Sequence, residues 1–312
     1  MHQVVKPKSR LNVLPDNPQE SDPKSAVALG RFPKWLHRKL PQGNALWQTS
    51  DVLKKKRLST VCEEAKCPNL LECWSQKTAT FLAMGKECTR NCGFCDIDFS
   101  TSPKPLELDE PQRIAESVVH LGLKHVVITM VARDDLSDGG AAHIAAIVRA
   151  VHALDMGISV EVLTSDFEKN WEALDAIIEA KPEIFNHNIE TTRSLSVRVR
   201  HKASYQRTLD VLRYASRLPF IKSGLMVGLG ESREEVEETI RDLRDVGVKI
   251  ITIGQYLQPN RKKLRVKEFV TPQTFEEYAA YGRAQGVPYM YTGPFVRSSY
   301  NAASLFELMR RA

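Results

Sequence analysis

Residues 79–95 read Ala79-Thr-Phe-Leu-Ala-Met84-Gly-Lys-Glu-Cys88-Thr-Arg-Asn-Cys92-Gly-Phe-Cys95. The apolar run at 79–84 predicts a short buried strand, because a glycine and charged residues follow it at once. Three cysteines then stand in a C-x₃-C-x₂-C arrangement. A single short loop with this spacing can place three thiolates around one cluster. The stretch therefore predicts a metal-binding loop after the first strand of a sheet.

The number of thiolates bears on the kind of metal site. A structural zinc site uses four protein ligands, commonly paired C-x₂-C hooks. Three cysteines can instead bind a 4Fe–4S cluster and leave one iron open to a chelating substrate. The spacing resembles that of radical S-adenosylmethionine (SAM) enzymes. This resemblance implies that Cys88, Cys92 and Cys95 bind a catalytic cluster and that Phe94 lies near the adenine of SAM.

Short apolar runs alternate with amphipathic helical patterns from residue 78 onward. The predicted strands cover residues 79–84, 125–130, 159–163, 183–189, 221–227 and 250–255. The predicted helices cover residues 111–120, 141–153, 171–180, 205–216, 233–246, 272–284 and 302–310. This alternation is typical of a parallel sheet with right-handed crossovers. No dinucleotide fingerprint follows a first strand, so we predict an α/β fold: a partial (β/α)6 barrel of the radical SAM type with N- and C-terminal extensions and its site at the carboxyl ends of the strands.

Another cysteine triplet, the first of the two in chain order, precedes the first strand, in the string Cys62-Glu-Glu-Ala-Lys-Cys67-Pro-Asn-Leu-Leu-Glu-Cys73. Clustered cysteines in a chain of 312 residues without a secretory signal indicate metal binding or redox chemistry rather than a disulfide framework. By itself the C-x₄-C-x₅-C spacing also suits a zinc site or a redox pair. Its position beside the other triplet favours a second cluster. The chain has six cysteines, so the fourth ligand must be an oxygen, a nitrogen or a small molecule.

The two triplets, in this order, resemble those of the lipoyl synthase family. Four later strings match the same family in order: Arg133-Asp-Asp-Leu-Ser-Asp-Gly-Gly-Ala141, His187-Asn-Ile-Glu-Thr191, Tyr256-Leu-Gln-Pro259 and Arg297-Ser-Ser-Tyr-Asn-Ala302. The resemblance runs from about residue 33 to residue 303. One departure is Lys263-Leu264, where many family members have His-Leu.

The resemblance implies a ligand and several cofactor contacts. Ser299, the second serine of Arg-Ser-Ser-Tyr, is implied as the fourth ligand of an auxiliary cluster held by Cys62, Cys67 and Cys73. A serine oxygen is a harder ligand for iron than a thiolate, which suits a cluster that must be taken apart. We expect Ser298 to cap a helix or contact backbone. The implied SAM contacts are Arg133, Asp134, Asn188 and Glu190.

A structural alternative applies to two of those contacts. Arg133 and Asp134 suit a salt-bridged loop that ends with Asp138 capping a helix as well as they suit a SAM site.

The resemblance also implies the reaction and its participants. Two sulfur atoms would be inserted at C6 and C8 of an octanoyl chain on a carrier lysine, to form the lipoyl cofactor. The implied cofactors are two [4Fe-4S] clusters, the auxiliary one donating sulfur, and two S-adenosyl-L-methionine molecules per lipoyl group. The implied partners are octanoylated lipoyl-carrier proteins (E2 subunits and the glycine cleavage H protein) and a low-potential electron donor such as ferredoxin or flavodoxin. Unactivated C–H bonds require a radical, since no acid or base can remove such hydrogens.

Charge and proline content divide the chain into three parts. Residues 1–59 form a basic N-terminal extension, residues 60–256 the radical SAM core including the auxiliary-cluster loop, and residues 257–312 a C-terminal extension that supplies the serine ligand. The net charge is +6, and the first 57 residues hold 12 Lys or Arg against 4 Asp or Glu.

The basic extension has two interpretations. It is either a solvated arm or a docking surface for an acidic carrier that includes the cations at 54–57. The segment shows no sustained periodicity, so we expect it to wrap a surface. Its expected buried anchors are Phe32, Trp35, Leu36, Leu40, Leu46 and Trp47.

Composition excludes several other classes. No apolar run approaches the roughly 20 residues of a membrane helix, and the polar N-terminus lacks a secretory signal. No aromatic-studded basic motif points to nucleic acid. We expect a cytoplasmic enzyme with no membrane or nucleic-acid partner.

Two alternative functions stay open at this level. One is methylthiolation of RNA or protein by a two-cluster radical SAM enzyme, although no additional RNA-binding domain is visible in the sequence. The other, from a different class, is a zinc-stabilised binding module on an α/β scaffold.

Overall fold

The computed structural model describes residue 27 and residues 31–37, 45–75 and 80–311. Within them the strands are β1 (Ser59–Thr60), β2 (Thr80–Ala83), β3 (Glu87–Cys88), β4 (Asp98–Phe99), β5 (His125–Met130), β6 (Ser159–Leu163), β7 (Ile184–Asn186), β8 (Phe220–Val227), β9 (Ile250–Gln255) and β10 (Tyr289–Gly293). The α-helices are α1 (Ala45–Lys55), α2 (Val61–Glu64), α3 (Leu70–Ser75), α4 (Glu110–Leu121), α5 (Ala141–His152), α6 (Trp171–Glu179), α7 (Ser196–Val199), α8 (Tyr205–Ala215), α9 (Arg233–Asp245), α10 (Pro272–Ala284) and α11 (Ala302–Arg311). Short 3₁₀ turns lie at Lys34–Leu36 and Phe167–Lys169.

The main sheet has the order β1-β2-β5-β6-β7-β8-β9-β10. Strand β1 is antiparallel to β2, and all other neighbours are parallel. From β2 onward the spatial order follows the chain order, which is the pattern of a (β/α) barrel rather than of a doubly wound sheet. Strands β1 and β10 stand at opposite ends of that order. The predicted fold, a partial α/β barrel, is confirmed.

The core strands are mostly apolar and are buried on both faces. Every residue of β7 and β9 is buried, as expected for parallel strands covered on each side. The surrounding helices are amphipathic and start at well-defined caps. Ser232 and Glu235 form a reciprocal capping box at the start of α9. Strands β5, β6 and β9 have the predicted bounds, whereas β7 is shorter than the predicted 183–189.

Strand β10 and helix α1 are among the elements that were not predicted from the sequence. Strand β10 extends the sheet in parallel beside β9, with Tyr289 opposite Ile250 and Gly293 opposite Gly254. Its residues are all half-buried, so it lacks the apolar run that marks the core strands. Helix α1 lies in the segment predicted to have no regular structure, and its Leu53 is buried in the core.

Two of the six predicted anchors of the N-terminal segment, Phe32 and Trp47, are not buried. Phe32 is 57% exposed and Trp47 is 70% exposed. Leu36, another predicted anchor, is buried and packs with Phe269, and Trp35 is partly buried in the same cluster. The Phe32 ring also meets the Phe269 ring edge-on, with 5.6 Å between the ring centroids. Leu40 and the Leu46 side chain lie outside the described residues.

The segment after β10 runs back along the sheet. A Cβ on Gly254 would lie 2.0 Å from the carbonyl oxygen of Val296, and a Cβ on Gly224 would lie 3.0 Å from the Ser298 hydroxyl. Both close approaches require glycine, because any side chain would occupy the same space. Helix α11 then covers the amino ends of the strands. There Leu305 and Phe306 pack against the first residues of β7, β8, β9 and β10.

A buried ion pair lies among the core strands of the barrel. The Lys222 ammonium is 2.9 and 3.0 Å from the two carboxylate oxygens of Glu161, and both residues are fully buried. The Asn186 side chain donates to the same carboxylate at 2.8 Å. Burial would raise the pKa of Glu161, but the Lys222 ammonium holds it below its ordinary value. Glu161 is therefore a carboxylate whose charge is balanced locally.

We expect Lys222→Met to lower the free energy of unfolding by about 3–5 kcal/mol, because it leaves a buried carboxylate without its counter-charge. The measurement is urea unfolding followed by circular dichroism. The matched control is the double variant Glu161→Leu/Lys222→Met, which removes both charges and should recover most of the loss. A cost below about 1 kcal/mol for the single variant would contradict the pairing.

Candidate active site

A cavity of about 590 Å³ lies at the carboxyl ends of the parallel strands. Loops that follow the strands form most of its wall. Lining residues that come directly after a strand are Val131 after β5, Thr164 after β6, His187 after β7 and Tyr256 after β9. All six cysteines and Ser299 also line this cavity. The two triplets and the distant serine therefore face one common space.

The second triplet lies in the loop that follows β2. Cys88 ends β3, and its Sγ accepts from the backbone N–H groups of Arg90 at 3.4 Å and Ala132 at 3.3 Å. Burial and neighbouring acidic groups raise the pKa of Cys92 to about 11 and that of Cys95 to about 12. These thiols are protonated at neutral pH, so iron must displace their protons when it binds.

The first triplet is carried by two short helices. Cys62 lies in α2. Thr60 is the N-cap of this helix, and its hydroxyl accepts from the Glu63 N–H at 3.3 Å. Cys67 follows α2 in a turn, and Cys73 lies in α3. Burial raises the pKa of Cys62 to about 11. The ion pair of Lys66 with Asp96, at 2.6 Å, ties this loop to the residue that follows Cys95.

Ser299 reaches the cavity because its segment is fastened to the first triplet. The Asn69 side chain donates to the Phe295 carbonyl at 2.7 Å, and the Tyr300 hydroxyl lies 2.8 Å from a Glu72 carboxylate oxygen. These contacts join residues more than 220 positions apart. They place the serine on the cavity wall shared with Cys62, Cys67 and Cys73.

The thiols do not converge on a single point. Across residues 27, 31–37, 45–75 and 80–311, no three His, Cys, Asp or Glu side chains gather closely enough to hold one metal ion. A zinc ion needs four ligands within about 2.3 Å. Each corner of an iron–sulfur cluster, by contrast, takes one thiolate. Two triplets of thiols that line one large cavity therefore fit two clusters and not a mononuclear zinc site.

The end of β7 provides polar groups to the cavity. Asn188 and Glu190, two of the predicted SAM contacts, line it, and so does Phe94. Glu190 has a left-handed backbone, with φ of 65°, and bridges to β8 through Leu225. Burial raises the pKa of Glu190, even though Arg200 and Asn188 favour its charged form.

Arg200 was not predicted from the sequence. Its guanidinium is buried and donates to the Asn188 carbonyl and the Thr208 hydroxyl, each at 2.9 Å. It faces the cavity as the counter-charge of Glu190. No sequence signal could have identified it, because it follows a short helix rather than a strand.

His187 also lines the cavity and was not predicted. Its Nδ1 is 2.9 Å from the Thr164 carbonyl, which can only accept, so Nδ1 carries the proton. Burial lowers the pKa of His187 to about 4, so the ring is neutral. Its buried Nε2 has no hydrogen-bond partner in the described part of the chain. His187 thus offers a lone pair for a bound ligand; its position directly after a strand was the available signal.

The predicted SAM contacts Arg133 and Asp134 do not line the cavity. Arg133 pairs with Asp135 at 2.8 Å. The Asp134 carboxylate accepts from Arg90 at 2.8–3.1 Å, and Arg90 also pairs with Asp166 at 2.7 Å. This loop is salt-bridged, as the structural alternative expected. Arg90 and Asp166, not Arg133 and Asp134, are the charged groups of this network that face the cavity.

Ser298 and Asp166 each make a contact that defines their place in the cavity wall. The Ser298 hydroxyl is 2.8 Å from the Asn188 side-chain oxygen, so the expected helix cap or backbone contact was wrong. Burial would raise the pKa of Asp166, but the Arg90 guanidinium lowers it to about 2. Asp166 is therefore a fixed negative charge in the cavity wall.

Comparison with known proteins gives the family. The radical SAM superfamily model matches residues 82–243. A lipoyl synthase from Protochlamydia amoebophila (strain UWE25) is 63% identical over 298 residues, which cover 94% of this chain and 92% of the relative. The chain belongs to the lipoyl synthase family. A second lipoyl synthase, from Chlamydia muridarum (strain MoPn / Nigg), is 52% identical over 95% of this chain and 96% of its own. As a lipoyl synthase of the radical SAM superfamily, the chain is an enzyme that uses SAM and [4Fe-4S] clusters.

Solved structures share the fold with this lipoyl synthase. Methylornithine synthase (PylB) has a TM-score of 0.53 at 15% identity, over 68% of this chain and 62% of its own. Streptococcus suis SuiB bound to precursor peptide SuiA has a TM-score of 0.54 at 12% identity, over 86% and 61%. At these identities the likeness concerns the barrel alone. In the part of the chain that the structure describes, no helix has the length and apolarity to cross a membrane.

We expect Gly254→Ala to displace the segment that carries Ser299, because the new Cβ would overlap the Val296 carbonyl oxygen. Overpacking of this kind costs about 1–3 kcal/mol of unfolding free energy. Limited proteolysis should also cut residues 294–301 faster. The control is Gly122→Ala, where nothing lies within 4 Å and the cost is backbone strain alone. Unchanged cleavage at 294–301 in Gly254→Ala would contradict the proposed close approach.

Proposed function

We propose that this lipoyl synthase inserts two sulfur atoms at C6 and C8 of an octanoyl chain held on a lysine of a carrier protein. The observation that carries the proposal is the shared cavity: both cysteine triplets and Ser299 line it. A radical generated at one triplet and a sulfur source held at the other need a common space, because a carbon radical reacts with what lies next to it. The cavity provides that space without passage through solvent.

The two triplets have different roles in this proposal. Cys88, Cys92 and Cys95 bind the catalytic cluster. The ligands of the auxiliary cluster are Cys62, Cys67, Cys73 and Ser299. When bound, these clusters and SAM supply the electron, the carbon radical and the sulfur atoms. Three thiols at the catalytic position, with a cavity rather than a fourth protein ligand beside them, leave room for a chelating substrate.

The cavity wall supplies the groups that would hold SAM. Asn188 and Glu190 present hydrogen-bonding groups suited to ribose hydroxyls, and Phe94 presents a ring for the adenine. The Arg200 guanidinium fixes the Asn188 carbonyl and balances the charge of Glu190. These hydrogen bonds and charge pairs hold the groups of the wall in one geometry, which reduces the cost of ordering the site.

Arg133 and Asp134 would act from behind the wall. Asp134 orients Arg90, whose guanidinium faces the cavity, and Arg133 fixes the loop through Asp135. We assign to both residues a positioning role toward SAM rather than direct contact.

The proposed partners follow from the substrate chemistry. The carrier is an octanoylated domain of the E2 or glycine cleavage H protein type, and the electron donor is a low-potential protein such as ferredoxin or flavodoxin. These are proteins of the cytoplasm, where we place the enzyme. In the proposed organisation, residues 60–256 bind SAM and residues 257–312 deliver the serine ligand. Residues 1–26 lie outside the described part of the chain.

The ligand assignment predicts a difference between the two triplets. Anaerobically reconstituted wild type should contain about eight irons per chain, and alanine variants of either triplet about four. Variants at Cys88, Cys92 and Cys95 should lose dithionite-driven cleavage of SAM. Variants at Cys62, Cys67 and Cys73 should keep that cleavage and lose sulfur transfer to an octanoyl-lysine peptide. Loss of both activities from both sets would contradict the division of roles.

Ser299→Ala should impair sulfur transfer and leave dithionite-driven SAM cleavage within about twofold of wild type, because it removes only the oxygen ligand of the auxiliary cluster. Ser299→Cys should restore iron binding while releasing sulfur more slowly, since a thiolate is the softer ligand. The control is Ser304→Ala, an exposed serine in α11. Normal lipoyl formation by Ser299→Ala would remove the serine from the ligand set.

A further inference from the structure

Five exposed cations surround one part of the active-site loop. We call them the cationic rim: Arg198, Arg261, Lys262, Arg265 and Lys267. Within the described residues, no ion pair involves any of the five. Unpaired like charges in one small area repel each other and raise the local positive potential. Such an area favours an anionic partner.

The basic stretch near the N-terminus differs from the rim in this respect. Lys55 pairs with Asp51, Lys56 with Glu116 and Arg57 with Asp109, each within 2.8 Å. Carboxylates of the same surface therefore already neutralise those three cations. Among the described residues, the rim is therefore a surface near the site whose positive charge is not neutralised by ion pairs.

The rim is bonded to the loop that bears the second triplet. The Leu264 N–H donates to the Gly93 carbonyl at 2.9 Å, and the Gly93 N–H donates to the Val199 carbonyl at 2.9 Å. The Lys263 ammonium donates to the Cys92 carbonyl at 3.4 Å. The two arms of the rim thus meet at Gly93, between Cys92 and Cys95.

The rim is also held in place. The Tyr256 hydroxyl donates to the Leu264 carbonyl at 2.7 Å, and the Lys262 N–H donates to the Asn260 side chain at 2.8 Å. Val197, 77% exposed, adds an apolar contact beside Arg198. A fixed group of cations around a small apolar centre matches the anatomy of a transient protein–protein interface.

We propose that the cationic rim is the docking surface for an acidic, low-potential one-electron donor protein. The inference rests on the proposed function, which needs one electron for each SAM cleaved. The donor is oxidised by one electron, and that electron enters the catalytic site, where the sulfonium C–S bond of SAM breaks. Electron tunnelling falls steeply with distance, so a donor gains most by docking where the chain is bonded directly to a cysteine loop. An octanoyl carrier has no such requirement, since its flexible lysine arm reaches into the cavity.

The test uses the holoenzyme with both clusters and an acidic flavodoxin in its hydroquinone form as the probe. The rim variant is Arg261→Glu/Lys262→Glu/Arg265→Glu. The matched control is Lys124→Glu/Arg149→Glu/Lys181→Glu, which changes three exposed cations. Lys124 directly precedes β5 and Lys181 lies shortly before β7, so both lie at the amino ends of the strands, opposite the cavity; Arg149 lies in α5. Both triple variants change the net charge by the same amount. SAM cleavage without carrier is measured with flavodoxin and, separately, with dithionite.

We expect the rim variant to lose at least about tenfold in flavodoxin-driven kcat/KM at low ionic strength. The deficit should shrink as salt is added, because screening removes the steering. Dithionite-driven cleavage should be unchanged, since that small reductant needs no docking. The control variant should match wild type with both reductants.

Three results would overturn the proposal. The first is flavodoxin-driven cleavage within about twofold of wild type in the rim variant. The second is an equal loss with dithionite, which would mean that the loop acts on the site itself. The third is weaker binding of an octanoylated carrier with normal flavodoxin-driven cleavage, which would assign the rim to the carrier. Failure of wild type to cleave SAM with dithionite would instead count against the proposed function.

Discussion

The close approach of the Val296 carbonyl to Gly254 is the contact on which the site depends. It lets the segment after β10 lie directly on the inner side of the sheet, where any side chain at Gly254 would block it. The same segment then reaches the Asn188 side chain through Ser298 and brings Ser299 to the cavity. Glycine at position 254 is therefore required for the segment that carries Ser299 to line the same cavity as the two cysteine triplets.

The cavity wall is charged, yet its charges are matched. Arg90 is paired with Asp166, and Arg200 faces Glu190, so neither buried cation lacks a counter-charge. An unpaired buried charge would cost several kcal/mol, which is why these groups occur together. Fixed pairs also hold the polar groups of the wall in one geometry.

Periodicity predicted those parts of the fold whose burial is uniform. β5, β6 and β9 are buried at nearly every position, and their bounds follow from the sequence. β10 is half-buried along its length and has no such pattern, so its place beside β9 depends on pairing between distant segments. Helix α1 was missed for a related reason, since its buried side chains are few and its stability comes from packing against α3 and α4.

The sequence by itself determined the chemistry: the cysteine spacings indicate clusters, and the resemblance named Ser299. Only the tertiary structure decided which charged groups face the cavity. Arg133 and Asp134 have suitable side chains in a suitable loop, yet they turn to Asp135 and Arg90. Arg200 reaches the cavity from a helix end. Spacing along the chain fixes which ligands a short loop can offer, whereas the direction of a side chain depends on partners that only folding brings near.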